Sequence, residues 1–125
     1  MGRTFVILWV GELRCTPGVA SQLKRHGFHV VCTSGPETAL HELRAASADL
    51  IVLEQESCLR GELVAVKFKS AAPKVPVLLL CDPQEPGAPQ VFFVNMILSA
   101  HASTDILLRA IESLLPSREQ EETGT

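Results

Sequence analysis

A chain of 125 residues, 46% hydrophobic and 20% charged, has the size of one ordinary domain and enough apolar material for a core, which excludes disorder by composition. Its net charge of −3 leaves no electrostatic footprint for nucleic acid. No apolar run approaches the roughly 20 residues of a membrane span, and the N-terminus lacks the pattern of a secretory leader, so a soluble, cytoplasmic protein without membrane partners is expected.

Strand-like and helix-like segments alternate along the whole chain, the pattern of a parallel sheet built from βα units. The first predicted strand is Phe5 to Val10, broken by Gly11 and Glu12. Thr16-Pro17 then supplies an N-cap and a first-turn proline, Val19 and Leu23 a sparse apolar face, and Gly27 a helix end. The second strand, Phe28 to Cys32, runs into Ser34-Gly35-Pro36-Glu37, which reads as a capping box before a helix carrying Ala39, Leu40 and Leu43.

The third strand is Asp49-Leu50-Ile51-Val52-Leu53-Glu54. Four consecutive aliphatic residues between charges suit a strand buried on both faces, and the carboxylate at its end lies where α/β folds place their chemistry. A helix is predicted from Gly61 to Ala72, against a competing period-two alternation of Val64, Val66 and Phe68. Val75 to Cys81 is the fourth strand. Asp82 to Gln90 holds Pro83, Pro86, Gly87 and Pro89, too many breakers for a regular helix.

A fifth strand falls within Val91 to Leu98, and a last helix starts at Ser103 or Thr104, burying Ile106, Leu107, Ala110, Ile111, Leu114 and Leu115 before Pro116. Residues 1–116 thus read as one domain, and 117–125 as a polar tail or the start of a linker. Cys15, Cys32, Cys58 and Cys81 are widely spaced with no CxxC pair, so free, mostly buried thiols are expected.

This order of elements resembles the receiver domain of two-component response regulators. Gly27-Phe28-His29-Val30-Val31, Ala39-Leu40, Asp49 to Leu53 and Val75-Pro76-Val77 match that family's landmarks in sequence over roughly Thr4 to Pro116. The resemblance implies an α/β, flavodoxin-like (βα)5 three-layer sandwich with parallel strand order 2-1-3-4-5. The short interval after Cys81 implies a fourth helix that is short or irregular.

The family's functional residues do not follow the fold. Its magnesium-binding acidic pair aligns with Val10 and Gly11, with Glu12 one position late; its phosphoacceptor aspartate aligns with Glu54. Its Thr or Ser position holds Cys81, its lysine position falls near Ala100, and the strand-five aromatic falls on Ile97. No lysine follows Lys74. Phosphoryl transfer to a carboxylate needs a divalent cation and fixed donors around the equatorial oxygens, and Mg2+ wants hard oxygen ligands. Val10 and Gly11 offer no side-chain oxygen. Glu54 is longer than aspartate by one methylene, which displaces its carboxylate by about 1 Å in a geometry sensitive to that error.

The expectation is therefore an atypical pseudo-receiver in signal transduction, with no catalysis and no cofactor. It acts as a phosphorylation-independent interaction or dimerisation module through the face of strand five and the last helix, with Phe92, Phe93 and Ile97 as its possible contact residues. One alternative keeps phosphorelay, using Glu54 and Glu12; another has Glu54 imitate a phosphorylated aspartate. Cys15, Cys58, Cys81 and His101 allow a thiol-based redox or metal sensor, although their spacing matches no metal motif. Glu12, Glu54, Glu56 and Asp82 form either a weak cation site or a solvated rim, and His26, His29 and His41 read as surface residues.

Overall fold

The computed structural model describes residues 4–11, 17–45, 47–55, 58–81 and 93–115. Five strands, β1 (Phe5–Val10), β2 (Phe28–Thr33), β3 (Leu50–Glu54), β4 (Val77–Cys81) and β5 (Met96–Ser99), form one parallel sheet in the order β2-β1-β3-β4-β5. The described helices are α1 (Pro17–Arg25), α2 (Pro36–Ala45), α3 (Cys58–Ala71) and α4 (Thr104–Leu114). This is the flavodoxin-like α/β sandwich that the resemblance implies. The short fourth helix of that expectation falls on residues 82–92, outside the described ones, as do Thr16 and the segment from Pro116 onward.

Period-two alternation along the strands divides the core into two layers. Ile7, Trp9, Leu50, Val52, Leu78 and Leu80 face Leu23 of α1 and Leu107, Leu108 and Ile111 of α4. Leu8, Val10, Ile51, Leu53, Val77, Leu79 and Cys81 face Ala39 of α2 and Ala65 and Phe68 of α3. The aliphatic run of β3 is unbroken because both of its faces are covered.

Matching devices set the register where β3 and β5 begin. Asp49 donates its N–H to Val6 O at 2.8 Å and accepts the Val6 N–H on Oδ2 at 2.7 Å. Asn95 does the same with Val77, at 2.9 Å in both directions. Each side-chain oxygen satisfies a strand-end N–H that would otherwise lack a partner.

Several element boundaries differ from the sequence-based expectation. The Ala39 N–H bonds to Gly35 O, so Gly35 rather than Ser34 holds the cap position and Pro36 is the first helical residue. The third helix begins three residues before Gly61, and the alternation of Val64, Val66 and Phe68 is a coincidence of helical phase: Phe68 is buried while Val66 is 36% exposed. β4 starts at Val77, two residues after Val75, and β5 runs to Ser99, one residue past the expected limit.

Ile106 is a clear correction. It lies on the outside of α4 at 51% exposure, and Leu108 is buried in its place. Ser103 caps this helix by accepting the Ile106 N–H at 3.3 Å, which fixes the phase that turns Ile106 outward. Among the described residues no helix is long and apolar enough to cross a membrane.

Candidate functional site

The parallel order brings the C-terminal ends of β1, β3, β4 and β5 to one edge of the sheet, and with them Val10, Gly11, Glu54, Cys81 and Ala100. Val10 pairs with Leu53, so Gly11 lies beside Glu54. Cys81 pairs with Ser99, and the Ala100 N–H continues that ladder to Cys81 O at 3.0 Å. Glu12, Glu56, Asp82 and Phe92 fall outside the described residues.

The side chains behave differently from one another. Val10, 1% exposed, and Cys81, fully buried, belong to the core on the α2 and α3 side. Neither presents a side-chain oxygen at the edge. The residues that meet there are Trp9, Gly11 and Glu54. Val52 and Glu54 share one face of β3 with Trp9 of β1, and Gly11 follows directly after β1, two residues from Trp9. Trp9 is fully buried, and its indole Nε1–H donates to Glu54 Oε2 at 2.9 Å. A buried indole N–H requires such a partner.

Gly11 provides the space. Its φ of +138° favours glycine, its N–H bonds to Thr33 O at 2.8 Å, and a Cβ on it would lie 2.7 Å from the Glu54 Cβ and collide with the Glu54 carboxylate. The carboxylate thus lies over the bare backbone of position 11. A side chain at 11 and the present pose of Glu54 exclude each other.

The position that the resemblance assigns to an acidic pair therefore holds a core valine and a glycine covered by Glu54. These residues fit a magnesium site poorly, since Val10 and Gly11 bring no side-chain oxygen and one Glu54 oxygen is engaged by Trp9. Among the described residues no three His, Cys, Asp or Glu side chains gather in a way that could hold a metal ion. His26, His29, His41 and His101 are exposed, Phe93 is 40% exposed, and Ile97 is half-buried against the core.

Two features were missed from the sequence. Trp9 has a sequence signal, as the one tryptophan of the chain, two residues before the glycine that aligns with the acidic pair. The second is the state of the thiols. Cys81 is a buried thiol outside any disulfide, as expected, but Cys32 is exposed and disulfide-bonded. β2 is an edge strand, so residues on it can stay accessible where a central strand would be covered.

No family model matches the chain, and no curated protein matches it in sequence. Solved structures match it closely in shape. The signal receiver domain of an HD domain-containing protein from Pseudomonas fluorescens Pf-5 superposes with a TM-score of 0.77 at 19% identity, covering 98% of this chain and 95% of that one. The chemotaxis response regulator CheY4 of Vibrio cholerae gives 0.75 at 19%, over 90% of this chain and 99% of that one. The response regulator TrrA of Thermotoga maritima, solved in complex with Mg(2+)-BeF, gives 0.73 at 17%, over 90% and 99%; TrrA is also solved in complex with the histidine kinase ThkA. The chain has the fold of response-regulator receiver domains.

Proposed function

We propose that this chain is an atypical receiver-like domain of two-component signalling that acts without phosphorylation and without catalysis of its own, as a cytoplasmic protein-interaction or dimerisation module. The observation that carries this reading is the Trp9–Glu54 hydrogen bond over Gly11. The carboxylate at the acceptor position is held by the chain itself, and the aligned positions Val10, Gly11 and Cys81 supply neither a carboxylate nor a hydroxyl. TrrA binds a histidine kinase and Mg(2+)-BeF; this chain keeps the scaffold for the first kind of contact, and its Val10 and Gly11 offer no side chain suited to the second. The face of β5 and α4, with exposed Ile106, is the proposed contact surface for a partner or a second copy.

Incubation with a small acyl-phosphate donor and Mg2+, followed by intact-mass measurement, tests the reading. The expected spectrum shows no labile phosphoryl adduct. An adduct that disappears in Glu54→Gln would instead establish phosphorelay through Glu54. Light scattering on the free protein tests dimerisation.

The disulfide at Cys32 supports a second reading, a redox-responsive domain. Reduction of that bond by a dithiol consumes two electrons and two protons and releases two thiols, one of them Cys32 on the edge strand β2, while the dithiol becomes a disulfide. If the domain works this way, thiol reduction changes its oligomeric state or partner affinity; identical behaviour of oxidised and reduced protein would remove the reading.

A further inference from the structure

Four large hydrophobic residues are exposed among the described ones: Leu63 at 61%, Ile106 at 51%, Phe93 at 40% and Val66 at 36%. Three of them belong to the surroundings of α3. Leu63 and Val66 are three apart and share its outer surface. Phe93 is brought beside the helix by Glu62, whose two carboxylate oxygens accept the Phe93 N–H at 3.1 and 3.2 Å.

The inner surface of α3 is fully used by the fold. Gly61, Ala65 and Phe68 are buried, and a Cβ on Gly61 would stand 2.5 Å from both methyl carbons of Leu79. The helix therefore rests on the sheet at close range, and Leu63 points away from it.

Arg60, Lys67 and, on the turn after the helix, Lys74 are all exposed. Arg60, Leu63, Lys67 and Ser70 follow helical spacing along one side, with Leu63 at its centre. The one carboxylate of the helix, Glu62, is occupied with the Phe93 backbone. Lys69 turns its Nζ onto Val75 O at 2.8 Å, and burial lowers its pKa below the ordinary 10.5. The outward face is thus apolar at its centre and basic along its flank, in a chain whose net charge is −3.

We infer that the outer face of α3, formed by Leu63, Val66 and Phe93 and flanked by Lys67 and Lys74, docks an acidic amphipathic segment of a partner protein. Apolar side chains of that segment would cover Leu63, Val66 and Phe93, while its carboxylates align with the cations and steer the encounter. An anionic membrane fits less well. An interfacial helix offers a continuous apolar face to the acyl region, and the apolar face of α3 is already spent on the sheet. The inference rests on the reading of the domain as an interaction module, and it centres on α3 rather than on β5 and α4, taking Phe93 from the face expected to hold it because its N–H is bound by Glu62.

The test uses the full chain and a fluorescently labelled synthetic helical peptide with Leu at successive turns among Glu residues, read by anisotropy. Saturable binding is expected, weakening as salt rises. Leu63→Ser and Lys67→Glu, both at exposed positions, should each weaken it by about tenfold, with unchanged circular dichroism. Lys67→Glu should in turn favour a peptide with Lys in place of Glu. Absence of binding, or equal affinity in both variants, overturns the proposal. So does preferential binding to phosphatidylserine vesicles that Lys67→Glu abolishes, or self-association of the chain through α3.

Ile106→Asp separates this inference from the β5 and α4 surface. Peptide binding that survives the variant while dimerisation is lost supports both surfaces. Peptide binding by a protein that never dimerises supports α3 and counts against the dimer, and a dimer that ignores the peptide overturns the α3 inference alone.

Discussion

Trp9 and Glu54, 45 residues apart in sequence, are joined at 2.9 Å where β1 and β3 end. The bond satisfies a fully buried indole N–H and turns the strand-end carboxylate toward the protein. Removing the acceptor leaves that N–H unpartnered. Glu54→Ala should therefore lose about 1–3 kcal/mol of stability in urea unfolding, and Glu54→Gln less, because its amide oxygen can still accept. Trp9 is the one tryptophan, so its fluorescence reports the change directly; an unchanged emission spectrum in Glu54→Ala would show the bond is not formed in solution.

Gly11 and Glu54 should be energetically coupled. Gly11→Ala carries both a strained φ and a collision with the Glu54 side chain, so about 1–3 kcal/mol of destabilisation is expected. Part of that loss is steric and disappears when Glu54 is shortened. A double-mutant cycle with Glu54→Ala should give a coupling of about 0.5–3 kcal/mol; additive losses would mean that backbone strain alone restricts position 11.

The paired devices at Asp49 and Asn95 make a prediction about chemistry rather than charge. Each uses one side-chain oxygen to accept a strand N–H, and an amide oxygen serves as well as a carboxylate. Asp49→Asn should be close to neutral, while Asp49→Ala and Asn95→Ala should each cost about 1–2 kcal/mol. Amide hydrogen exchange at Val6 and Val77 would rise in the respective alanine variants and stay low in Asp49→Asn.

Gly61 sits within α3, where alanine would ordinarily favour the helix by about 1 kcal/mol. Here the added methyl meets Leu79, which is fully buried. Overpacking of about 1–3 kcal/mol should outweigh the propensity gain, so Gly61→Ala is expected to lower the thermal midpoint. Leu79→Val in the same chain should recover part of the loss.

Much of the architecture was legible because its signals are local. Proline and glycine punctuate the chain at Pro17, Gly27 and Pro36, and the run from Leu50 to Leu53 identifies a two-sided strand. The placement of Glu54 at the sheet's C-terminal edge follows from strand order alone. Ile106 was misassigned because one residue of helical phase, set by the Ser103 cap, exchanges it with Leu108. The start of α3 was placed late because Val64, Val66 and Phe68 satisfy two periodicities at once, and only the sheet beneath them decides between the two.

The amino-acid sequence by itself determined the order of strands and helices and the absence of side-chain oxygens at Val10 and Gly11, since composition and spacing are properties of neighbours along the chain. Only the tertiary structure decided that Glu54 turns to Trp9 over Gly11, that Cys32 is disulfide-bonded while Cys81 lies in the core, and that Leu63, Val66 and Phe93 gather around α3. These relations join residues distant in sequence, and they depend on register, burial and helical phase, which exist only once the sheet has assembled.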